Sequence, residues 1–138
     1  DPDGRSAVVH TTGNHEGFLI MRGGRTGTNF DADSINAAGA ALEAKNLRAA
    51  IMVDCNHAQS GGDPDQEEAV WKTVIDQLGT TSKYVVGLLI ESFLEKGRQA
   101  LEVPADMSRL RYGQSVTDAC MGWEDTERML NFTYSQLG

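Results

Sequence analysis

The sequence has little cysteine and little positive charge. Its two cysteines, Cys55 and Cys120, are too few and too far apart for the disulfide framework of a small secreted protein, so a reducing, cytoplasmic setting is expected. Twelve Lys and Arg against 20 Asp and Glu give a net charge of −8. We therefore expect no nucleic-acid partner, because non-specific binding to nucleic acid needs clustered cations. No apolar run approaches the roughly 20 residues of a membrane-spanning helix, so no membrane partner is expected either.

What is present is a set of short apolar runs in a chain of 138 residues, a length that suits one domain with a packed core. Four runs predict the main strands: Phe18–Met21, Ala49–Val53, Tyr84–Ile90 and Gln114–Thr117. Their starts lie 31, 35 and 30 residues apart, which is the length of a βαβ unit. Continuous apolar runs are typical of parallel sheets covered on both faces. The pattern predicts an α/β fold, either a doubly wound open sheet or part of a (β/α)8 barrel.

The segments between these strands predict helices and loops. Helices are expected over Asp33–Lys45, with Asp31 or Asp33 near the N-cap, over Asp65–Leu78 and over Thr126–Leu137. Glu67 and Glu68 fall in the first turn of the second helix, where the helix dipole favours anions. Three further predictions are a short strand at Ser6–Thr12, a polar loop at Ser60–Asp65 and an irregular connection at Glu95–Ser108.

A chemically capable side chain follows each main strand: Arg22, His57, Glu91 and Asp118. Because parallel strands bring their carboxyl ends together, we expect these residues to lie near one another. One imidazole and two carboxylates suit a divalent transition metal such as manganese, iron, cobalt or zinc. The alternative for each residue alone is an ordinary loop or helix-capping position. Cys55, two residues before His57, is either a soft metal ligand or a core residue, and we favour core packing.

Arg22 is followed by Gly23 and Gly24. Glycines let backbone N–H groups approach an anion, and a guanidinium binds phosphate or carboxylate through two parallel hydrogen bonds. The alternative is an ordinary turn. Next to a metal site, the triplet indicates a phosphorylated, anionic substrate, since a chain of charge −8 must attract an anion locally.

At these residues the chain resembles the class I 3-deoxy-heptulosonate 7-phosphate (DAHP) synthases. The matching stretches are His10–Asn14, Met21–Gly24, Ile51–Ser60, Gly87–Leu94 and Tyr112–Thr126. They occur in the family's order and extend over essentially the whole chain. The resemblance implies that residues 1–138 form a single partial domain, the C-terminal half of a (β/α)8 barrel, preceded by one arm of an inserted β-hairpin.

The resemblance also implies an activity and the residues that serve it. The family condenses phosphoenolpyruvate with erythrose 4-phosphate, the first step of the shikimate pathway. His57, Glu91 and Asp118 match the family's metal ligands. Arg22 matches the arginine that grips the phosphate of phosphoenolpyruvate, and His57 lies against the same substrate. Arg22 and His57 are therefore the expected catalytic and phosphoenolpyruvate-binding residues. An aromatic amino acid is the expected effector.

Two family segments do not occur in these 138 residues: the Gly-Pro-Cys-Ser segment, which carries a fourth metal ligand, and the Lys-Pro-Arg-Thr segment, which serves both substrates. Four strands cannot close a barrel, and an open sheet exposes apolar side chains and an unpaired edge. We therefore expect a fragment or one polypeptide of a split enzyme, with little or no activity alone. It would pair with itself as a homo-oligomer or with an N-terminal half.

Two other classes of function stay open. One is a noncatalytic binding or regulatory module that keeps the fold. The other is a metal-dependent phosphohydrolase on an open α/β sheet. The reaction product separates these hypotheses: a seven-carbon keto-acid phosphate identifies the synthase, and free phosphate alone identifies the hydrolase.

Overall fold

A three-stranded parallel sheet forms the centre of the computed structural model, which describes residues 3–78, 83–102 and 106–138. The strands are β1 (Leu19–Met21), β2 (Ile51–Asp54) and β3 (Val85–Leu89), in the spatial order β1-β2-β3. Register pairs Met21 with Val53 and, after an irregularity, Met52 with Gly87. These strands confirm the first three predicted main strands and the α/β class with parallel strands.

Among the described residues, four α-helices accompany the sheet: α1 (Ala32–Glu43), α2 (His57–Ser60), α3 (Pro64–Gln77) and α4 (Trp123–Leu137). The three longer ones confirm the three predicted helices. The Asp31 carboxylate caps α1 by accepting a hydrogen bond from the Ser34 amide, as its position predicted. The short α2 was not predicted, and its last residue, Ser60, had been assigned to the loop Ser60–Asp65. Within the described ranges, no helix combines the length and the apolar character needed to cross a membrane.

The fourth predicted strand, Gln114–Thr117, is present over Gln114–Ser115, but the prediction that it lies in the same sheet as the other three was wrong. Here β4 (Glu95–Arg98) pairs in parallel with β5 (Gln114–Ser115), and the two form a separate small sheet. The prediction that Glu95–Ser108 is irregular was therefore wrong for its first four residues, although a short 3-10 turn at Met107–Arg109 fits it. Residues 103–105 of this segment lie outside the described residues. β4 is polar and its register shifts between Glu95 and Arg98, so no apolar run marks it as a strand.

The prediction of a strand at Ser6–Thr12 was also wrong. This segment is exposed and has no strand assignment. A strand is stabilised by hydrogen bonds to a neighbour, and the described residues contain no strand that pairs with this segment. The hairpin arm implied by the resemblance is therefore not formed in this structure.

The core lies on one face of the β1-β2-β3 sheet. Ile51 and Val53 of β2 are fully buried there, together with Ile35 of α1 and Val74 of α3. Met129 of α4 belongs to the same cluster. The helices therefore cover one side of the sheet, and the candidate site lies at its C-terminal edge.

Candidate metal centre

His57 occupies an unusual backbone position just beyond β2. Its φ is +50°, in the left-handed region that non-glycine residues seldom adopt. Hydrogen bonds hold the turn on both sides: the Asn56 amide donates to the Asp54 carboxylate at 2.9 Å, and the Gly62 amide donates to the His57 carbonyl at 3.0 Å. Strain of this kind persists where surrounding contacts over-determine it, which is common at functional sites.

Three of the four predicted strand-end residues come together. His57, Glu91 and Asp118 each offer a ligand atom, and these atoms all lie within 4.8 Å of one another. Nε2 of His57 is 3.6 Å from Oε1 of Glu91. Two ligand atoms that each lie about 2.1 Å from the same metal ion are separated from one another by a distance comparable to this one. The mixed nitrogen and oxygen donors therefore fit a divalent metal in both chemistry and spacing.

A carboxylate behind His57 was not singled out from the sequence. Oδ2 of Asp54, a buried residue, lies 2.7 Å from Nδ1 of His57. The pair lacks hydrogen-bond geometry, so Nδ1 has no hydrogen-bond partner among the described residues. Histidines that bind metals commonly have their other ring nitrogen beside a carboxylate, which orients the ring. The detectable signal was the position of Asp54 at the end of β2, three residues before His57.

Glu67 lies beneath the site, and the sequence indicated a different role for it. Its carboxylate is fully buried and accepts a hydrogen bond from the Glu91 amide at 3.0 Å. Burial raises the pKa of Glu67 to about 7, and the charges of Glu91 and Asp54 act in the same direction. The signal for burial was helical spacing: Glu67 lies four residues before Trp71 on the apolar stripe of α3.

A cavity of about 440 Å³ opens beside the group formed by His57, Glu91 and Asp118, the metal-ligand cluster. His57 and Asp118 line it, together with Gly61, Gly62 and Arg98. Sequence reasoning missed Arg98 because it lies on the unpredicted strand β4. Its guanidinium gives a cation to the cavity that Asp118 also lines.

Arg22 is exposed at the end of β1 and is not among the residues that line this cavity. The segment that carries it nevertheless packs on the helix that carries His57. Gln59 of α2 donates to the Met21 carbonyl at 3.3 Å, and a Cβ at Gly23 would lie 2.9 Å from Ala58 Cβ. The structure therefore joins the Arg22 loop to the metal-ligand cluster through α2.

Cys55 lies outside the metal-ligand cluster. It is fully buried and belongs to the hydrophobic core. Burial, together with the charges of Glu67 and Asp54, raises the pKa of the Cys55 thiol to about 12. A thiol must lose its proton to ligate a metal, so this environment disfavours ligation and agrees with core packing.

Comparisons with known proteins all point to one group. The sequence model of the DAHP synthetase I family matches residues 4–131. The chain is 42% identical over 131 residues to the phenylalanine-inhibited phospho-2-dehydro-3-deoxyheptonate aldolase of Saccharomyces cerevisiae, covering 92% of this chain and 35% of that protein. It is 36% identical over 134 residues to the Tyr-sensitive phospho-2-dehydro-3-deoxyheptonate aldolase of Escherichia coli, covering 97% of this chain and 37% of that protein.

A solved structure agrees with the sequence matches. The phospho-2-dehydro-3-deoxyheptonate aldolase of Francisella tularensis SCHU S4 superposes with a TM-score of 0.84 at 33% sequence identity. The match covers 95% of this chain and 37% of that one. The chain thus spans about a third of the length of the curated relatives it matches.

Proposed function

This chain belongs to the DAHP synthetase I family, and from that membership we propose that it supplies the C-terminal portion of a phospho-2-dehydro-3-deoxyheptonate aldolase. The enzyme would condense phosphoenolpyruvate with erythrose 4-phosphate, at the start of the shikimate pathway. The observation that carries the proposal is the convergence of His57, Glu91 and Asp118 at one edge of the structure.

The proposed architecture is half of a (β/α)8 barrel, formed by residues 1–138 as one partial domain. Its support is the parallel order β1-β2-β3 and the core that the described helices form on one face of this sheet. In a closed barrel the opposite face is filled by side chains from all the strands. The remaining strands of the barrel would cover Ile20 and Val86, which are 44% and 57% exposed here.

We propose that His57, Glu91 and Asp118 hold a divalent metal ion, either manganese, iron, cobalt or zinc. Such an ion supplies Lewis acidity that polarises an oxygen of the substrate. Asp54 would set the orientation of the His57 ring from behind, across their 2.7 Å contact. Because three donors of this chain converge, the ion would be bound between them, beside the cavity that His57 and Asp118 line.

The substrates are anionic, and the chain's own cations would hold them. Arg22 would bind the phosphate of phosphoenolpyruvate through its guanidinium fork, and His57 would lie against the same substrate. Arg98, which lines the cavity with His57, would add a second cation for a phosphate group. Neutralising and aligning the phosphates brings C3 of phosphoenolpyruvate towards the aldehyde carbon of erythrose 4-phosphate. There the new carbon–carbon bond would form as the aldehyde oxygen becomes a hydroxyl. Water would add to C2 of phosphoenolpyruvate, and inorganic phosphate would leave as C2 becomes the keto carbon.

Metal binding by the 138-residue chain tests the site. Free Mn²⁺ has a strong electron paramagnetic resonance signal that weakens when the ion binds protein. We expect the chain to bind Mn²⁺ and the His57→Ala variant to lose at least tenfold in affinity. His10→Ala removes an exposed histidine that does not belong to the group of proposed ligands and is the matched control. Equal binding by the wild type and His57→Ala would overturn the proposed site.

Product analysis tests the reaction. A chimaera would carry this chain in place of the matching C-terminal portion of the Escherichia coli relative, so that the barrel can close. We expect a seven-carbon keto-acid phosphate, loss of product in His57→Ala, and a raised KM for phosphoenolpyruvate in Arg22→Ala. Free phosphate alone would favour a phosphohydrolase. A folded, metal-binding chimaera that forms no product would favour a noncatalytic module.

The proposed partner of the open face is the N-terminal half of the barrel, with a second copy of the chain as the alternative. Sedimentation at several concentrations tests this, since a stable monomer would count against self-pairing.

An aromatic amino acid is the proposed effector, because two similar proteins are named phenylalanine-inhibited and Tyr-sensitive. The proposed setting is the cytoplasm, and the free thiols of both cysteines are in keeping with it. Imaging of the tagged protein in cells tests this proposal.

A further inference from the structure

Helix α3 buries one carboxylate completely. Glu67 has no exposed surface, whereas the neighbouring Glu68 reaches the helix surface and meets Arg128 and Lys72. Carboxylates are almost never fully buried unless a partner compensates for the lost hydration. In the three described ranges, no Lys or Arg forms an ion pair with Glu67.

The hydrogen bond that Glu67 does make is to a proposed metal ligand. Oε2 of Glu67 accepts from the backbone N–H of Glu91 at 3.0 Å. The carbonyl of Glu91 accepts from the Met121 amide at 2.9 Å, three residues beyond Asp118. The backbone of Glu91 is therefore fastened on one side to α3 and on the other to the segment that carries Asp118.

The Glu91 side chain points from this fastened backbone to His57, with Oε1 3.6 Å from Nε2. A change in the Glu91 backbone would move that oxygen relative to His57 and Asp118. Glu67 thus acts at the point where α3, the end of β3 and the Asp118 segment meet.

Stability does not account for this carboxylate. Its second oxygen, Oε1, is buried and has no hydrogen-bond donor among the described residues. A buried polar atom without a partner destabilises the fold, and an apolar side chain of similar size avoids that penalty. The presence of Glu67 is better explained by what its bonded oxygen holds in place.

We propose that Glu67 is a positioning residue for the metal centre, which fixes the Glu91 backbone so that the Glu91 carboxylate faces His57. This inference rests on the proposed metal site. Under this proposal, the essential features of the side chain at position 67 are its acceptor oxygen and the length that places this oxygen at the Glu91 amide, its reach. The negative charge of Glu67 is dispensable.

Two substitutions separate reach from charge. Glu67→Gln keeps an acceptor oxygen at the same reach and removes the charge. Glu67→Asp keeps the charge and withdraws the oxygen by one methylene. Mn²⁺ affinity is measured on the full 138-residue chain by electron paramagnetic resonance, with circular dichroism to verify folding. Glu68→Gln, one residue away and bonded to Arg128 instead, is the matched control.

We expect Glu67→Gln to bind Mn²⁺ within about threefold of wild type, and Glu67→Asp to bind at least about tenfold more weakly, as for other groups that orient metal ligands. Glu68→Gln should match wild type. Affinity lost in Glu67→Gln but kept in Glu67→Asp would overturn the proposal, and so would wild-type affinity in both. If His57→Ala binds as well as wild type, the metal site itself is wrong, which is a separate failure.

Discussion

The two faces of the β1-β2-β3 sheet are built from the same kinds of residue but have different surroundings. On the covered face, Ile51 and Val53 are fully buried against the helices. On the other face, Ile20 is 44% exposed and Val86 57% exposed. Parallel strands with apolar side chains on both faces are ordinarily covered on both sides.

This difference separates the face of the sheet that residues of this chain cover by themselves from the face that a closed barrel would cover. The covered face has its helices, and its core is closed by residues of this chain. The open face presents apolar side chains that a barrel would enclose. The proposed metal ligands lie at the end of the sheet, so the site depends on the covered side for support and on the open side for enclosure.

The largest expected effect comes from placing a charge on each face. Val53→Asp puts a carboxylate into the core, and we expect it to cost about 3–5 kcal/mol or to prevent folding. Ile20→Asp, on the neighbouring strand, should cost less than about 1 kcal/mol because its side chain reaches water. Urea unfolding followed by circular dichroism measures both.

The outcome for Ile20→Asp also tests the surroundings of the open face. If it destabilises the chain as much as Val53→Asp does, another surface covers that face in solution. Sedimentation of the wild type would then show whether a second copy provides the cover.

A smaller effect is expected at Gly39, where α1 meets Tyr84, the residue before β3. A Cβ there would overlap the ring of Tyr84. Although Ala favours helices over Gly by about 1 kcal/mol, we expect Gly39→Ala to destabilise the chain by about 1–3 kcal/mol through overpacking. Ala37→Gly, at an exposed position of the same helix, should also destabilise, by about 1 kcal/mol. Thermal unfolding measures both, and a more stable Gly39→Ala would disprove the tight contact.

The contrast between the faces also explains what the sequence could predict. The three main strands and three helices were predictable because apolar runs and polar caps mark them locally. The ends of two of those runs indicated His57 and Glu91, and the end of the predicted strand Gln114–Thr117 indicated Asp118. β4 was missed because its residues are polar and its pairing with β5 is irregular.

Residues that act through tertiary contacts were harder to predict. Glu67 does lie in the first turn of α3, as predicted, but the dipole explanation omitted its burial. Which side of a helix faces the core depends on the rest of the fold, and here the core side also faces the metal-ligand cluster. Asp54 was missed for a similar reason, since its contact with His57 depends on the left-handed turn.

Behind the covered face, α3 and α4 are joined by a partly buried hydrogen bond whose loss should have an intermediate effect. Nε1 of Trp71 donates to Oγ1 of Thr133 at 2.6 Å. Thr133→Val keeps the shape and removes the acceptor, which should cost about 1–2 kcal/mol because the indole N–H loses its partner. Thr73→Val, at an exposed position of α3, is the control and should cost little. Equal urea midpoints for the two variants would mean that the indole bond contributes nothing.

The smallest effect belongs to the ion pair on the outer surface of the same two helices. Hydrogen bonds from Arg128 and then Lys72 lower the pKa of Glu68 to about 2, from an ordinary value of 4.5. Because the folded-state pKa is the lower one, the stabilisation is fully present above pH 4.5 and is lost as pH falls towards 2.

Glu68→Gln should therefore cost up to about 1 kcal/mol at pH 7, a value limited by solvent screening. The difference from wild type should shrink between pH 4.5 and 3, and also in 1 M salt at pH 7. Urea unfolding across this range measures it, and a difference that is independent of both pH and salt would show that packing, and not charge, joins the helices at Glu68.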